Sequence, residues 1–295
     1  MIDLHIHSNY SDGTYSVSDI LKEAERRKLE IISITDHDSV KAYHEIYNNK
    51  SIRNIYEGKI IIGSEIKCYL PEYDLPVEIL GYGIDISEIE NYLQNNQIMK
   101  IQNKYLEYLK KVGKGIGLIF DENIKIDNEK HAYASDIFQR ELIKHLENEE
   151  ILKKNNISLE PNFYRAEQCN KNSIFYINEK EDFIKIGDII EKIHDAGGLA
   201  FLAHPYIYPT NHTEEMVELI IEKYELDGVE CYYSAFTQEQ TKRMIEICNK
   251  HNKFISGGTD FHGDNRPNTK MGEGKGNLNI KKEIIENWIN KISII

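Results

Sequence analysis

Short apolar runs recur along the chain and are mostly followed by segments in which apolar residues return every three or four positions. The runs predict strands at 2–7, 31–35, 60–65, 78–83, 199–204, 228–232 and 254–258. The first helix is predicted to start at Ser16, whose hydroxyl can cap it with Asp19 three residues on. It runs to about Arg27, with Val17, Ile20, Leu21 and Ala24 on one face. Further helices fit 187–196, 214–224 and 237–251, and Gly197-Gly198 reads as a helix stop before a strand. Seven strands alternating with helices predict an α/β fold, a parallel barrel.

Between about 86 and 182 the alternation lapses into Asn-, Lys-, Glu- and Tyr-rich sequence, with helical periodicity at 98–112 and 137–146. The expected division is therefore a first barrel part over 1–85, a helical insertion over 86–182 and a second barrel part over 183–295. No Gly/Ser- or Pro-rich linker flanks the insertion, so it is expected as a cap over the C-terminal rim of the barrel. The tail 281–295, with Ile284, Ile285, Trp288 and Ile292, predicts a last amphipathic helix covering the barrel wall.

Composition narrows the function. With 40% hydrophobic residues the chain can bury a full core. Lys and Arg number 36 against 49 Asp and Glu, a net charge of −13, which argues against a basic groove gripping long nucleic acid. Cys68, Cys169, Cys231 and Cys248 lack metal-ligand spacing and fit reduced, mostly buried thiols. No signal peptide or membrane anchor is visible, and the expected location is the cytoplasm.

The chemistry lies at the ends of the strands. His5, His7, Asp36, His37, Glu65, His204, Asp260 and His262 all fall at or just beyond predicted C-terminal strand ends, the rim where parallel barrels carry their sites. His5 and His7 are alternate residues of one strand and aim two imidazoles at one point. Mixed imidazole and carboxylate donors favour Mn, Fe or Zn, with Mg admissible. Singly, each histidine is more often a hydrogen-bonded core residue; together they need a common purpose.

The motifs Asp3-Leu4-His5-Ile6-His7-Ser8 with Ser11-Asp12-Gly13-Thr14, Ile34-Thr35-Asp36-His37-Asp38, Gly63-Ser64-Glu65, Ile79-Leu80-Gly81-Tyr82, Leu202-Ala203-His204-Pro205 and Gly258-Thr259-Asp260-Phe261-His262 occur in this order. With them the chain resembles the PHP (polymerase and histidinol phosphatase) metal-dependent phosphoesterases. The resemblance implies a distorted seven-stranded (β/α)7 barrel and two to three divalent ions. It implies a first ion held by His5, His7, Glu65 and Asp260, a second bridged by Glu65 and held by His204, and a third held by Asp12, His37 and His262. Glu78 stands where close members usually have a histidine ligand to the second ion, and is taken as a ligand. Asp3, Asp36 and Asp38 are expected to orient ligands.

Three divalent ions against Asp12, Glu65, Glu78 and Asp260 leave a formal surplus of about two positive charges, suited to a phosphate monoester dianion attacked by a metal-bound hydroxide. Glu65, Asp260 and His262 would thus be catalytic through the ions they hold. The expected activity is hydrolysis of phosphomonoesters of small metabolites. The resemblance favours nucleotides or nucleoside 3′,5′-bisphosphates, with histidinol phosphate or the 5′ end of short RNA as alternatives; a non-catalytic metal- or ligand-binding module is the competing class. Arg140, Arg165 and Arg266 could fork onto a phosphate. His44, His145, His194, His212 and His251 are expected at the surface or at caps, and His131, in the insertion, could meet substrate.

Overall fold

The computed structural model describes residues 1–95, 98–126, 133–160, 162–180 and 182–295; His131 lies outside them. The chain divides into two compact units, Met1–Asn95 with Phe183–Ile295, and Asn96–Asp182.

In the first unit the strands are β1 (Ile2–Ile6), β2 (Ile31–Ile34), β3 (Lys59–Leu70), β4 (Leu75–Tyr82), β5 (Ile184–Lys185), β6 (Leu199–Leu202), β7 (Gly228–Tyr233) and β8 (Phe254–Gly258). Seven follow one another in the order β1-β2-β3-β4-β6-β7-β8, with the two-residue β5 beside β3. An isolated bridge between Ile6 and Phe261 nearly closes the circle. The seven-stranded distorted barrel expected from the sequence is therefore present.

It is not wholly parallel. β4 runs antiparallel to both β3 and β6. The cause is the length of the link: only Pro71 to Asp74 separates β3 from β4, enough for a hairpin and far too short for a parallel crossover. The hairpin puts Glu65 opposite Leu80 and Lys67 opposite Glu78.

Helices α1 (Val17–Arg26), α2 (Lys41–Asn48), α3 (Lys50–Arg53) and α4 (Ile86–Asn95) belong to the first unit. Ser16 caps α1 by accepting from the Asp19 amide, and Val17, Ile20, Leu21 and Ala24 are buried, as the spacing predicts. The second unit holds α5 (Ile98–Gly115), α6 (Ala134–Leu142) and α7 (Asn148–Lys154). Its own core centres on Phe138, whose ring meets Phe120 at 5.4 Å, Phe163 at 5.5 Å and Phe175 at 5.9 Å. The chain returns through α8 (Ile186–Asp195), α9 (Thr213–Lys223) and α10 (Gln238–Lys250). Gly197, at φ +77, ends α8 as expected, and Thr237 and Gln240 form a capping box on α10.

The tail departs from its predicted helix. It makes two short 3₁₀ turns, Lys282–Ile285 and Ile289–Lys291, and then Ile294 pairs antiparallel with Ile61. Trp288 is fully buried, stacks on Tyr82 at 5.7 Å and donates its indole N–H to the Ile255 carbonyl at 3.0 Å. It joins Ile2, Leu4, Ile31, Ile61, Leu80 and Phe201, with Tyr232 and Phe254 against them. That cluster draws on all seven barrel strands, so the tail plugs the interior instead of covering the wall. A regular helix could not bury this indole against the β8 carbonyl and also pair its end with β3.

Candidate metal centre

Gly258 brings the end of β8 against β1 so closely that a Cβ there would sit 2.3 Å from the Cβ of His5. Gly13 likewise folds its loop onto the carbonyl of His7, at 2.3 Å from a built Cβ. These approaches gather the strand ends, and His204, Asp260 and Asp38 complete them with left-handed backbones at φ 28, 55 and 47. Non-glycine residues adopt that conformation at a cost, and such strain clusters at functional sites.

Glu65 sits at the middle, almost fully buried. Its Oε2 lies 3.2 Å from His5 Nε2, from His7 Nε2 and from His37 Nδ1, and its Oε1 lies 2.9 Å from His204 Nε2. The Nε2 atoms of His5 and His7 are 3.1 Å apart. Asp260 Oδ1 approaches His7 Nε2 at 3.2 Å and His5 Nε2 at 3.6 Å. Asp12 Oδ2 stands 3.0 Å from His262 Nε2 and 3.8 Å from His37 Nε2. Glu78 Oε2 is 3.5 Å from His204 Nε2.

These nine residues form overlapping groups whose donor atoms could share an ion: His5 with His7 and Glu65; His5 with His204 and Asp260; His7 with Asp12, His37 and His262; and His37 with Glu65 and Glu78. The sets differ from the resemblance in detail, since His37 also reaches the Glu65–Glu78 side and His7 the Asp12 side. The fit to cations is good on two observations. Donors about 2.1 Å from one ion stand about 3.0 to 3.4 Å apart, the spacing seen here. Glu65 Oε2 and Asp12 Oδ1 are buried without a hydrogen-bond partner, a costly state for a carboxylate that a bound cation would relieve.

The electrostatics agree. Burial would raise Glu65, but the charges of His5 and His37 outweigh it and hold the carboxyl well below its usual range. Burial would lower His7, yet the close carboxylates of Asp260, Glu65 and Asp12 push it up to about 10. Without ions the carboxylates keep protons on their imidazoles, and a divalent ion would replace them. His262 goes the other way: burial, together with the nearby His7 and Arg266, lowers it despite Asp12. Its Nδ1 faces the Asp260 carbonyl at 2.9 Å, leaving Nε2 toward Asp12.

Asp3, Asp36 and Asp38 brace the backbone around the ligands: Asp3 also accepts from the His5 amide, and Asp36 reaches His7 Nδ1 through the Ser11 hydroxyl, 3.5 Å away. Asp3 accepts from Thr259 N and Oγ1 and from Gly272 N; Asp36 accepts from Ser8 N and from the hydroxyls of Ser8 and Ser11; Asp38 accepts from Lys67 N. The carboxylate that meets a ligand imidazole is Glu230, in the middle of β7, with Oε1 2.9 Å from His5 Nδ1. The sequence reading missed it because β7 reads as an ordinary buried strand; the signal was a glutamate inside the run Gly228-Val229-Glu230-Cys231. Tyr233, also missed, donates to Asp260 Oδ2 at 2.7 Å.

Of the three arginines, Arg266 lies in the site, its Nη1 paired with the Asp260 carboxylate and its side chain 40% exposed. Arg140 and Arg165 are exposed residues of the second unit. His44, His145, His194, His212 and His251 each face a single carboxylate: Glu90, Glu141, Asp227, Glu215 and Glu218. All four cysteines are free, and three are buried.

The PHP domain family matches residues 3–255. The chain belongs to the PHP family. Among curated relatives it is 22% identical over 269 residues to the phosphoribosyl 1,2-cyclic phosphate 1,2-diphosphodiesterase of Eggerthella lenta, covering 88% of this chain and 94% of that protein. It is 24% identical to the 3′,5′-nucleoside bisphosphate phosphatase of Chromobacterium violaceum, covering 88% and 87%. A solved structure from Bifidobacterium adolescentis, described only provisionally as a metal-dependent phosphoesterase, superposes with a TM-score of 0.71 at 19% identity, covering 99% of this chain and 96% of that one. As a PHP protein the chain is placed among metal-dependent phosphoesterases, with donor groups that could hold their ions. No helix among the described residues is long and apolar enough to cross a membrane.

Proposed function

We propose that this PHP protein is a phosphatase that hydrolyses phosphomonoesters of small metabolites, with nucleotides or nucleoside 3′,5′-bisphosphates as the favoured class. The observation that carries the reading is the buried Glu65 carboxylate, with three imidazole nitrogens at 3.2 Å around one oxygen. In this reading His5, His7, Asp12, His37, Glu65, Glu78, His204, Asp260 and His262 hold two or three ions of Mn, Fe or Zn. Ions so held would acidify water and offset the charge of a bound phosphate.

The protein's own residues set the rest. Arg266 keeps one nitrogen on Asp260 and presents its partly exposed guanidinium to a phosphate oxygen. Arg140 and Arg165, exposed on the second unit, are further candidates for a phosphate contact. Glu230 adds a fifth carboxylate to the charge count and Arg266 returns one positive charge, so the surplus stays at about two. The net charge of −13 favours small esters over long RNA. Reduced thiols fit a cytoplasmic location.

The test is hydrolysis by the manganese-loaded protein of a nucleoside 3′,5′-bisphosphate, a 5′-nucleotide, a ribose 1,2-cyclic phosphate, histidinol phosphate and a short 5′-phosphorylated RNA. Highest kcat/KM on the bisphosphate or nucleotide supports the assignment. Preference for the cyclic diester, histidinol phosphate or RNA overturns the substrate class, and no hydrolysis of any of them overturns the activity.

A further inference from the structure

Glu230 is fully buried, and the two donors it meets both belong to ligand residues of the candidate centre. Its Oε1 lies 2.9 Å from His5 Nδ1, in place to accept a hydrogen bond from it, and its Oε2 accepts the backbone N–H of His204 at 2.9 Å. His5 is on β1 and His204 follows β6, so one acid on β7 joins two ligands from different strands. No Lys or Arg pairs with it among the described residues, although a buried carboxylate costs several kcal/mol unless it is compensated. An apolar residue would fill the same space without that cost, so packing alone does not account for a glutamate here.

The local backbone is shaped around this contact. The β7–β8 register slips between Glu230 and Tyr232, and such an irregularity re-aims the side chains next to it. His204 has φ 28 and ψ 59, and its amide is aimed at Glu230 by that conformation. With Nδ1 donating to an acid, neutral His5 presents Nε2 as a lone pair, and Nε2 is the atom that faces His7, Glu65 and Asp260.

We propose that Glu230 is a positioning residue of the metal centre, which fixes the tautomer of His5 with one oxygen and the strained backbone of His204 with the other. The inference rests on the proposed centre. It goes beyond it in giving one non-ligand acid control of a single part of the nest: His7, Asp12, His37 and His262 have no contact with Glu230 among the described interactions, and an ion held by them should be indifferent to it.

Glu230→Gln is the discriminating variant because it is isosteric yet cannot satisfy both donors. If its carbonyl accepts from His204, its amide N–H faces His5 Nδ1 and drives the proton to Nε2, where an ion must bind. Zinc titrations of wild type and variant against a chromophoric chelator should show the ions that His5 and His204 hold bound roughly 10- to 100-fold more weakly, and an ion at Asp12, His37 and His262 unchanged. The metal-free variant should melt at or above the wild-type temperature, which separates this from a general loss of structure. Superposable zinc isotherms would overturn the inference while leaving the proposed function standing. A wild-type protein that binds no zinc would overturn both. Should the variant fail to fold, ¹⁵N-histidine spectra of the zinc-loaded wild type decide: His5 protonated at Nδ1 supports the inference, and His5 protonated at Nε2 ends it.

Discussion

Two buried polar side chains, one in each unit, show opposite solutions to the same cost. In the second unit Asn148 is 1% exposed; its Oδ1 accepts from Ile119 N, and its Nδ2 donates to the carbonyls of Ile119 and Leu142. Both N–H donors and the oxygen are engaged, and what they secure is the chain around α6 and α7. In the first unit Glu65 is equally buried, but its Oε2 has no hydrogen-bond partner and is ringed by imidazole nitrogens that do not align to donate. A satisfied polar group buried in a core serves the fold. One left short among other titratable groups is waiting for something from outside.

The largest effect expected from that contrast is on turnover. Glu65→Ala should lower phosphoesterase kcat/KM on the order of a thousandfold, about 4 kcal/mol of transition-state stabilisation, while the metal-free protein melts no lower than wild type. A marked drop in the melting point of the metal-free variant would make Glu65 structural and erase the comparison. Asn148→Ala should do the reverse, costing about 3 kcal/mol in urea unfolding as its backbone partners go unpaired, with kcat/KM unchanged below the transition.

Metal should stabilise only the folded nest. Manganese at a hundred times its Kd is expected to add about 2.7 kcal/mol to wild type in denaturant titrations and nothing to Glu65→Ala. A smaller effect follows from His7, held in the metal-free protein at about 10 against an ordinary 6.5. A raised histidine contributes its stability in full below the unfolded value and loses it as pH climbs through the folded one. The metal-free protein should therefore lose melting temperature from pH 7 to 10, and manganese added at pH 7 should release protons, seen as a binding enthalpy that differs between phosphate and Tris buffers. Equal enthalpies in the two buffers would contradict it.

The smallest effect is expected at Glu78. It is partly exposed and meets His204 at 3.5 Å, a looser contact than any that Glu65 makes with the imidazoles. Glu78→His should keep turnover within about threefold and metal content unchanged. A large loss of both would give this carboxylate a role that neither ligation nor charge explains.

Much of this was legible because strand ends announce themselves. His5, His7, His37, His204 and His262 follow apolar runs, and Ser16 and Thr237 mark helix starts with their own hydroxyls. Direction was not legible: alternation of apolar residues is the same for a parallel or an antiparallel strand, and only the short link Pro71 to Asp74 betrays that β4 turns back. Glu230 was hidden because one acid inside a strand carries no periodicity. The tail misled because Ile284, Ile285, Trp288 and Ile292 are spaced as one face of a helix, whereas the indole is drawn inward by Tyr82, Phe201 and a β8 carbonyl.

That inward-drawn indole also ties together strands that are distant in sequence. Trp288 and its neighbours are stitched to the first strand, with Ile2 N donating to the Ile280 carbonyl, and to β3 through the paired amides and carbonyls of Ile60 and Ile295. The barrel interior therefore depends on contacts between residues far apart in sequence, and emptying the Trp288 position would loosen β1, β3 and β8 together.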